Sequence, residues 1–159
     1  MTDIVIRNAV VGDIEHLAEW AAAMAFETER KRLNTETVRH GIRTGIADPG
    51  KARYFVAECD NQPAGTLMLT FEWSDWRNGN WWWIQSVYVD PVHRRKGVFG
   101  AIYRHVHQLA ADTPGVCGLR LYVEKENVGA QRTYESLGML DARYCMYEAG
   151  MPWLSKVIG

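Results

Sequence analysis

The chain has 159 residues, a length that suits one domain with a buried core of its own. Apolar residues make up 47% and charged residues 23%, an ordinary globular balance. The net charge of −1 gives no global attraction to nucleic acid or an anionic membrane, so any basic site must be local.

The opening MTDIVIRNAV has no basic stretch followed by a long apolar run. No apolar segment approaches the ~20 residues that span a bilayer. These features predict a cytoplasmic protein with no nucleic-acid and no membrane partner. Cys59, Cys117 and Cys145 are odd in number and far apart, which predicts buried thiols in a reducing compartment. No His/Cys/Asp spacing suggests a metal site.

In chain order, Ile4–Arg7 reads as a short strand. Asp13 can cap a helix whose apolar positions are Ile14, Leu17, Ala18, Ala21 and Met24. A second helix starts at Asn34 or Thr35, carries Val38, Ile42 and Ile46 on one face, and stops at Pro49-Gly50. Arg53–Cys59 and Ala64–Glu72 read as strands joined by the turn Asp60–Pro63. After a loop over Ser74–Asn80, Trp81–Val89 is apolar on both faces, the pattern of a central strand covered on both sides.

A helix follows from Gly97 to Ala111, with Phe99, Ile102, Tyr103, Val106, Leu109 and Ala110 on one stripe. Leu119–Val123 reads as a buried strand, Asn127–Leu137 as a helix ended by Gly138, and Met139–Glu148 as one or two last strands. The predicted order is β-α-α-β-β-β-α-β-α-β, with room for one more β. That is a mixed α/β (α+β) fold with helices on a single sheet, in one domain over residues 1–159.

Two segments carry chemistry. Val87-Tyr88-Val89-Asp90-Pro91 runs into Arg94-Arg95-Lys96-Gly97-Val98-Phe99-Gly100, where a buried strand meets an amphipathic helix. A helix start offers unpaired N–H groups and the positive end of the dipole, and it binds phosphate. Gly97 lets a ligand approach the backbone. Taken alone, the segment reads equally well as a solvated basic turn. The second segment ends a strand at Asn127 and places Ala130 and Tyr134 on the following helix, with Asn127 and Tyr134 on the same side. Each alone also has a structural reading, Asn127 as an N-cap and Tyr134 as a half-buried aromatic.

Together the segments resemble the GNAT superfamily of acyl-CoA N-acyltransferases. In that family a Val-x-Val-x-Pro-like stretch precedes Arg/Gln-x-x-Gly-x-Gly/Ala at a helix start, and Asn-x-x-Ala-x-x-x-Tyr-x-x-x-Gly-Phe comes later. Here these read as Val87–Pro91, Arg94–Phe99 and Asn127–Met139. The resemblance covers residues 81–148, and the first 80 match in element order. Phe99 stands where the family has a small residue, with Gly100 one position later.

The resemblance implies a central sheet whose fourth and fifth strands are parallel and splay apart to admit the pantetheine arm of acetyl-CoA. Backbone groups of Val87 and Val89, flanking Tyr88, would hold that arm, and an N–H near Val87 would polarise the thioester carbonyl. The amides of Arg95–Gly100 would hold the pyrophosphate, and Asn127 would contact pantetheine. Tyr134 would be the general acid toward the departing thiolate, since its ordinary pKa near ~10 suits that transfer.

The resemblance further implies direct acetyl transfer to a primary amine of a small molecule in a ternary complex. The central strand offers Gln85 and Ser86, which can orient a water, and no carboxylate. Glu27 and Glu29 lie between the first two helices, where the family builds its acceptor site. They can attract the amine or belong to a solvated loop, and Glu72 is a weaker candidate. Five of the seven tryptophans fall between Trp73 and Trp83. Trp73 and Trp76 flank a turn, which suits an acceptor cleft or an interface. Trp82 or Trp83 suits packing. A protein or peptide N-acetyltransferase and a non-catalytic acyl-CoA sensor are the competing readings, and a homodimer is compatible with the family.

Overall fold

The computed structural model describes residues 3–158. It contains β1 (Ile4–Asn8), α1 (Ile14–Glu29), α2 (Thr35–Ala47), β2 (Arg53–Cys59), β3 (Gln62–Ser74), β4 (Gly79–Val89), α3 (Val98–Ala111), β5 (Val116–Arg120) and α4 (Val128–Ser136). The strands form one five-stranded sheet in the order β1-β2-β3-β4-β5. The first four pair antiparallel, and β4 pairs parallel with β5.

Helices cover both faces. On one, α3 lays Val98, Ile102, Tyr103, Val106 and Ala110 onto Phe55, Leu67, Leu69, Trp82 and Ile84. The spacing 98-102-106-110 is one stripe of a 3.6-residue period. Each fully buried aliphatic or aromatic side chain there contributes about 1.5–3 kcal/mol relative to exposure. On the other face, Ile14, Leu17, Ala18 and Trp20 of α1 and Ile42 of α2 pack on Val56 and Tyr88.

One irregularity in β4 decides which residues reach which face. Met68 pairs with Gln85 and Thr66 with Tyr88, so Leu67 alone faces both Ser86 and Val87. This is a β-bulge, and Ser86 adopts φ +49°. Before it, Trp82 and Ile84 point to the α3 core; after it, Val87 and Val89 do, and Tyr88 turns to α1 and α2. The strand is therefore apolar on both faces, as its sequence predicts.

Five details differ from the sequence reading. Asp13 does not cap α1 through its side chain; its carboxylate accepts from Arg7 at 2.8 and 3.0 Å and from the Val10 N–H at 2.7 Å. α1 runs on through Glu29 to a left-handed Arg30 (φ 55°), so Glu27 and Glu29 lie in its last turn and not between the helices. β5 spans Val116–Arg120 instead of Leu119–Val123, because its ladder with β4 ends at Trp83↔Arg120 and the chain beyond leaves the sheet. Met139–Glu148 forms no strand. Among the thiols only Cys59 is buried; Cys117 is half-buried and Cys145 exposed.

Candidate active site

The parallel β4–β5 ladder consists of Asn80↔Val116, Trp81↔Gly118, Trp82↔Leu119 and Trp83↔Arg120. Past these pairs, Ile84–Val89 has no ladder partner on that side, and Leu121–Val123 lies outside any strand. The two strands part, as expected of strands four and five. The lip is set by a close approach: Gly118 (φ +153°) has no room for a Cβ, which would lie 2.8 Å from the Trp81 ring. Arg120 lies across the same ring at 3.9 Å from its centroid.

At the far end of β4, Asp90 accepts from the Val92 N–H and starts a single 3-10 turn over Pro91–His93. Arg95 and Gly97 then take left-handed conformations, φ +62° and +81°. Such residues aim successive N–H groups toward a common point. Gly97 is the N-cap of α3, and no side chain caps that end. No acceptor among the described residues takes the amides of Arg95–Gly100, while the next one, Ala101 N–H, bonds Gly97 O at 3.0 Å. These donors sit at the positive end of a 14-residue helix.

The three cations differ in their commitments. Arg94 donates to Val89 O at 3.0 Å and to the Glu27 carboxylate at 2.9 Å, and stacks over the Tyr88 ring. Arg95 and Lys96 are exposed and have no carboxylate partner among the described residues. They are the ones open to an anion.

Phe99, the departure from the family pattern, turns inward to the α3 core and meets Tyr134 edge-on, ring centroids 5.8 Å apart. It thereby joins the start of α3 to α4. Burial pushes the Tyr134 hydroxyl above its ordinary pKa, so it stays protonated through neutral pH. Asn127 caps α4 by accepting from the Ala130 N–H at 3.1 Å and is exposed, its amide NH2 without a partner among the described residues. Its reading as an N-cap is met.

A cavity of about 230 Å³ lies between α1, α2 and the sheet. Its walls are Leu17, Trp20, Met24, Ile42, Tyr54 and Tyr88, and it reaches Ser86 at the bulge. The lining is mostly apolar. Gln85 donates its amide to Thr70, leaving its carbonyl free to accept from a water or an amine.

The sequence candidates for the acceptor site are only partly brought together. Glu27 accepts from Tyr88 Oη at 3.0 Å and from Arg94, so both oxygens are engaged, and it braces the site instead of facing a ligand. Burial, helped by this bond, pushes the Tyr88 hydroxyl above its usual pKa. Glu29 pairs with Lys31 on the surface. Trp73 and Trp76 are exposed beside the β3–β4 turn, and Gly79 at that turn is seven strand residues from Ser86, about 23 Å at the usual rise. They lie away from the cleft. Glu72 is engaged by Trp83 Nε1 and Arg120. Trp82 is buried against α3, whereas Trp83 is half-buried on the opposite face beside Tyr122. The cavity residues on α1 and α2 were readable only as helix core, since nothing in their spacing separates a pocket wall from packing.

Residues 14–139 match the family described as Acetyltransferase (GNAT) family. The crystal structure of a possible acetyltransferase from Clostridium difficile superposes with a TM-score of 0.87 at 41% identity, covering 93% of this chain and 97% of that one. A predicted acetyltransferase from Clostridium acetobutylicum, solved with acetyl-CoA, shares the fold at 17% identity, with a TM-score of 0.75 and coverage of 92% and 96%. Bovine thialysine N-epsilon-acetyltransferase is 27% identical over 150 residues, 89% of this chain and 86% of that protein. A sheet that opens between parallel strands, an uncapped helix start beside it, and these matches place the chain in the GNAT acetyltransferase family.

Proposed function

We propose that this protein transfers an acetyl group from acetyl-CoA to a primary amine of a small molecule, with both substrates bound at once. The observation that carries the reading is the end of the β4–β5 ladder at Trp83↔Arg120, which leaves a free strand edge leading to the unpaired amides of Arg95–Gly100. An extended arm ending in a pyrophosphate suits that combination. Acetyl-CoA supplies an activated acyl thioester.

The chain's own residues divide the work. Amides of Arg95–Gly100, with Arg95 and Lys96 nearby, bind phosphate oxygens. The free edge of Val87 and Val89 pairs with the arm's amides, and an N–H at the bulge polarises the acyl carbonyl. Tyr134, kept protonated by burial, gives its proton to the departing sulfur as the C–S bond breaks and the new C–N bond forms. With no free carboxylate at the bulge among the described residues, the attacking amine loses its proton to water held by Gln85 and Ser86.

The cavity that ends at Ser86 supports an acceptor with an apolar body whose amine reaches the bulge. A pocket walled mostly by apolar side chains supports a small molecule over a peptide. Thiol release from acetyl-CoA tests this across an amine panel. The panel sets aromatic and branched alkyl amines beside thialysine, the lysine analogue in the bovine relative's name. Faster turnover of the apolar amines is expected. If acetyl-CoA neither raises the melting temperature nor is consumed with any amine, the reading fails. A melting shift without turnover assigns the chain to acyl-CoA sensing.

A further inference from the structure

α2 carries Gly41 and Gly45 one turn apart on the same face. Glycine weakens a helix interior. At Gly45 it permits a close approach: a Cβ there would lie 2.8 Å from the Tyr54 ring and 3.6 Å from its hydroxyl oxygen. Gly45 is buried, so the helix backbone lies directly on this ring and fixes it. Gly41 lines the cavity between α1, α2 and the sheet, and a Cβ there would meet no atom within 4 Å. One glycine seats a ring on the cavity wall, and the other leaves the cavity open.

Among the described residues the hydroxyls of Tyr54, Thr66, Ser86 and Tyr88 line that cavity. Thr66 donates to Phe55 O at 2.8 Å, and Tyr88 donates to Glu27 at 3.0 Å. Ser86 stands at the bulge, where the attacking amine arrives in the proposed reaction. Tyr54 differs from all three. Its hydroxyl has no hydrogen-bond partner among the described residues and is not sealed from solvent. A tyrosine hydroxyl in such surroundings usually has a partner. Burial pushes its pKa above the ordinary value, so at neutral pH it can both donate and accept.

Strand register relates this residue to the chemistry. Tyr54 pairs with Met68, and Met68 with Gln85. Tyr54 thus stands in the row of Gln85, two strands away, about 10 Å at the usual strand spacing. No charged side chain lines the cavity among the described residues, so a second charge on a ligand would lie unpaired there. We infer that Tyr54 determines which amine is acetylated: the acceptor is a primary amine with an apolar body and a neutral hydroxyl at its far end, bonded to the Tyr54 hydroxyl, an assignment that rests on the cavity being the acceptor site.

Tyramine and phenethylamine share an apolar body and differ by a hydroxyl. With acetyl-CoA saturating, wild-type kcat/KM should favour tyramine about three- to tenfold, the range of one net hydrogen bond. Tyr54→Phe should bring that ratio to about one. Gly45→Ala keeps the hydroxyl but displaces the ring, and it should lower the ratio as well. The ratio is internal to each protein, so a partly folded variant still reports it. A wild type that does not prefer tyramine overturns the inference, as does a preference that survives either variant. A variant that loses both amines alike makes Tyr54 a packing residue and overturns it too. Turnover of other amines with neither of these two overturns it while the acceptor site stands. If no amine releases thiol, the acceptor site falls and the inference with it.

Discussion

Glu27, in the last turn of α1, and Arg94, in the turn before α3, are 67 residues apart in sequence and 2.9 Å apart in space. The same carboxylate holds Tyr88 Oη, so one acidic residue ties the cavity wall to the turn before α3. Both partners are over two-fifths exposed, so the pair contributes at most about 1 kcal/mol to stability. Its effect is positional. Glu27→Ala is expected to change the melting temperature by no more than about 2–4 °C. The KM for acetyl-CoA should rise about three- to tenfold, a cost of about 0.6–1.4 kcal/mol. Steady-state kinetics beside a melting curve separates these effects, and a large melting loss with unchanged KM would make Glu27 a purely structural residue.

Anion binding should depend on backbone shape more than on side-chain charge. A Cβ at Gly97 meets no atom within 4 Å, so the cost of a side chain there is its φ of +81° alone. A β-branched residue pays at least about 1–2 kcal/mol in that region. Gly97→Val is therefore expected to weaken coenzyme A binding about tenfold or more, and Lys96→Ala by less. Calorimetric titration giving the reverse order would assign the site to charge.

Tyr134→Phe should lower kcat by roughly a hundredfold, the low end for losing a general acid. Burial penalises the phenolate, so the hydroxyl titrates above the ordinary tyrosine value and the acid is present at every pH below it. The wild-type kcat should fall only on the far alkaline side, and the phenylalanine variant should lack that fall. A pH profile identical in both proteins would remove Tyr134 from the chemistry.

Acid stability should be traceable to the knot at the start of α1. The Arg7 guanidinium holds the Asp13 carboxyl below its usual range, and Arg7 also donates to Glu58 at 2.7 Å. A carboxyl depressed in the folded state stabilises above its unfolded pKa of about 3.9 and loses that contribution as pH falls through its lower folded value. Asp13→Asn should cost about 1–3 kcal/mol at neutral pH, and the difference from wild type should shrink below pH ~3. Paired urea melts at the two pH values measure it.

Most helices and strands could be read from the chain because their periods are clean, as in the stripe 98-102-106-110 of α3 and the alternation along β3. The turn proposed to bind phosphate stands out in the sequence because Gly97 and the cations surround a helix start. What escaped depends on distance in sequence or on absence. The end of α1 was misplaced because Arg30 enters a left-handed conformation without being glycine. β5 was drawn too late because Leu121 and Val123 are as strand-like as Leu119, and only the parting of the sheet separates them. Met139–Glu148 has strand-forming residues, yet it joins no strand of the sheet. Glu27 reads in the sequence as an acceptor-site or loop residue, since its partners Tyr88 and Arg94 cannot be read from its neighbours.

The bulge at Ser86 has a consequence for how this protein can vary. Val87 and Val89 face the α3 core, and Tyr88 the opposite cavity, only because two residues of β4 stand opposite Leu67. Closing the bulge without losing a residue would invert every side chain beyond it: a phenol would enter the aliphatic core, and valines would enter the pocket. Removing Ser86 closes it with the facing kept, since Val87 alone then stands opposite Leu67. Of all the residues of β4, the one with the left-handed backbone is thus the one whose loss leaves the strand's parity intact, and its deletion should preserve the fold as read by circular dichroism.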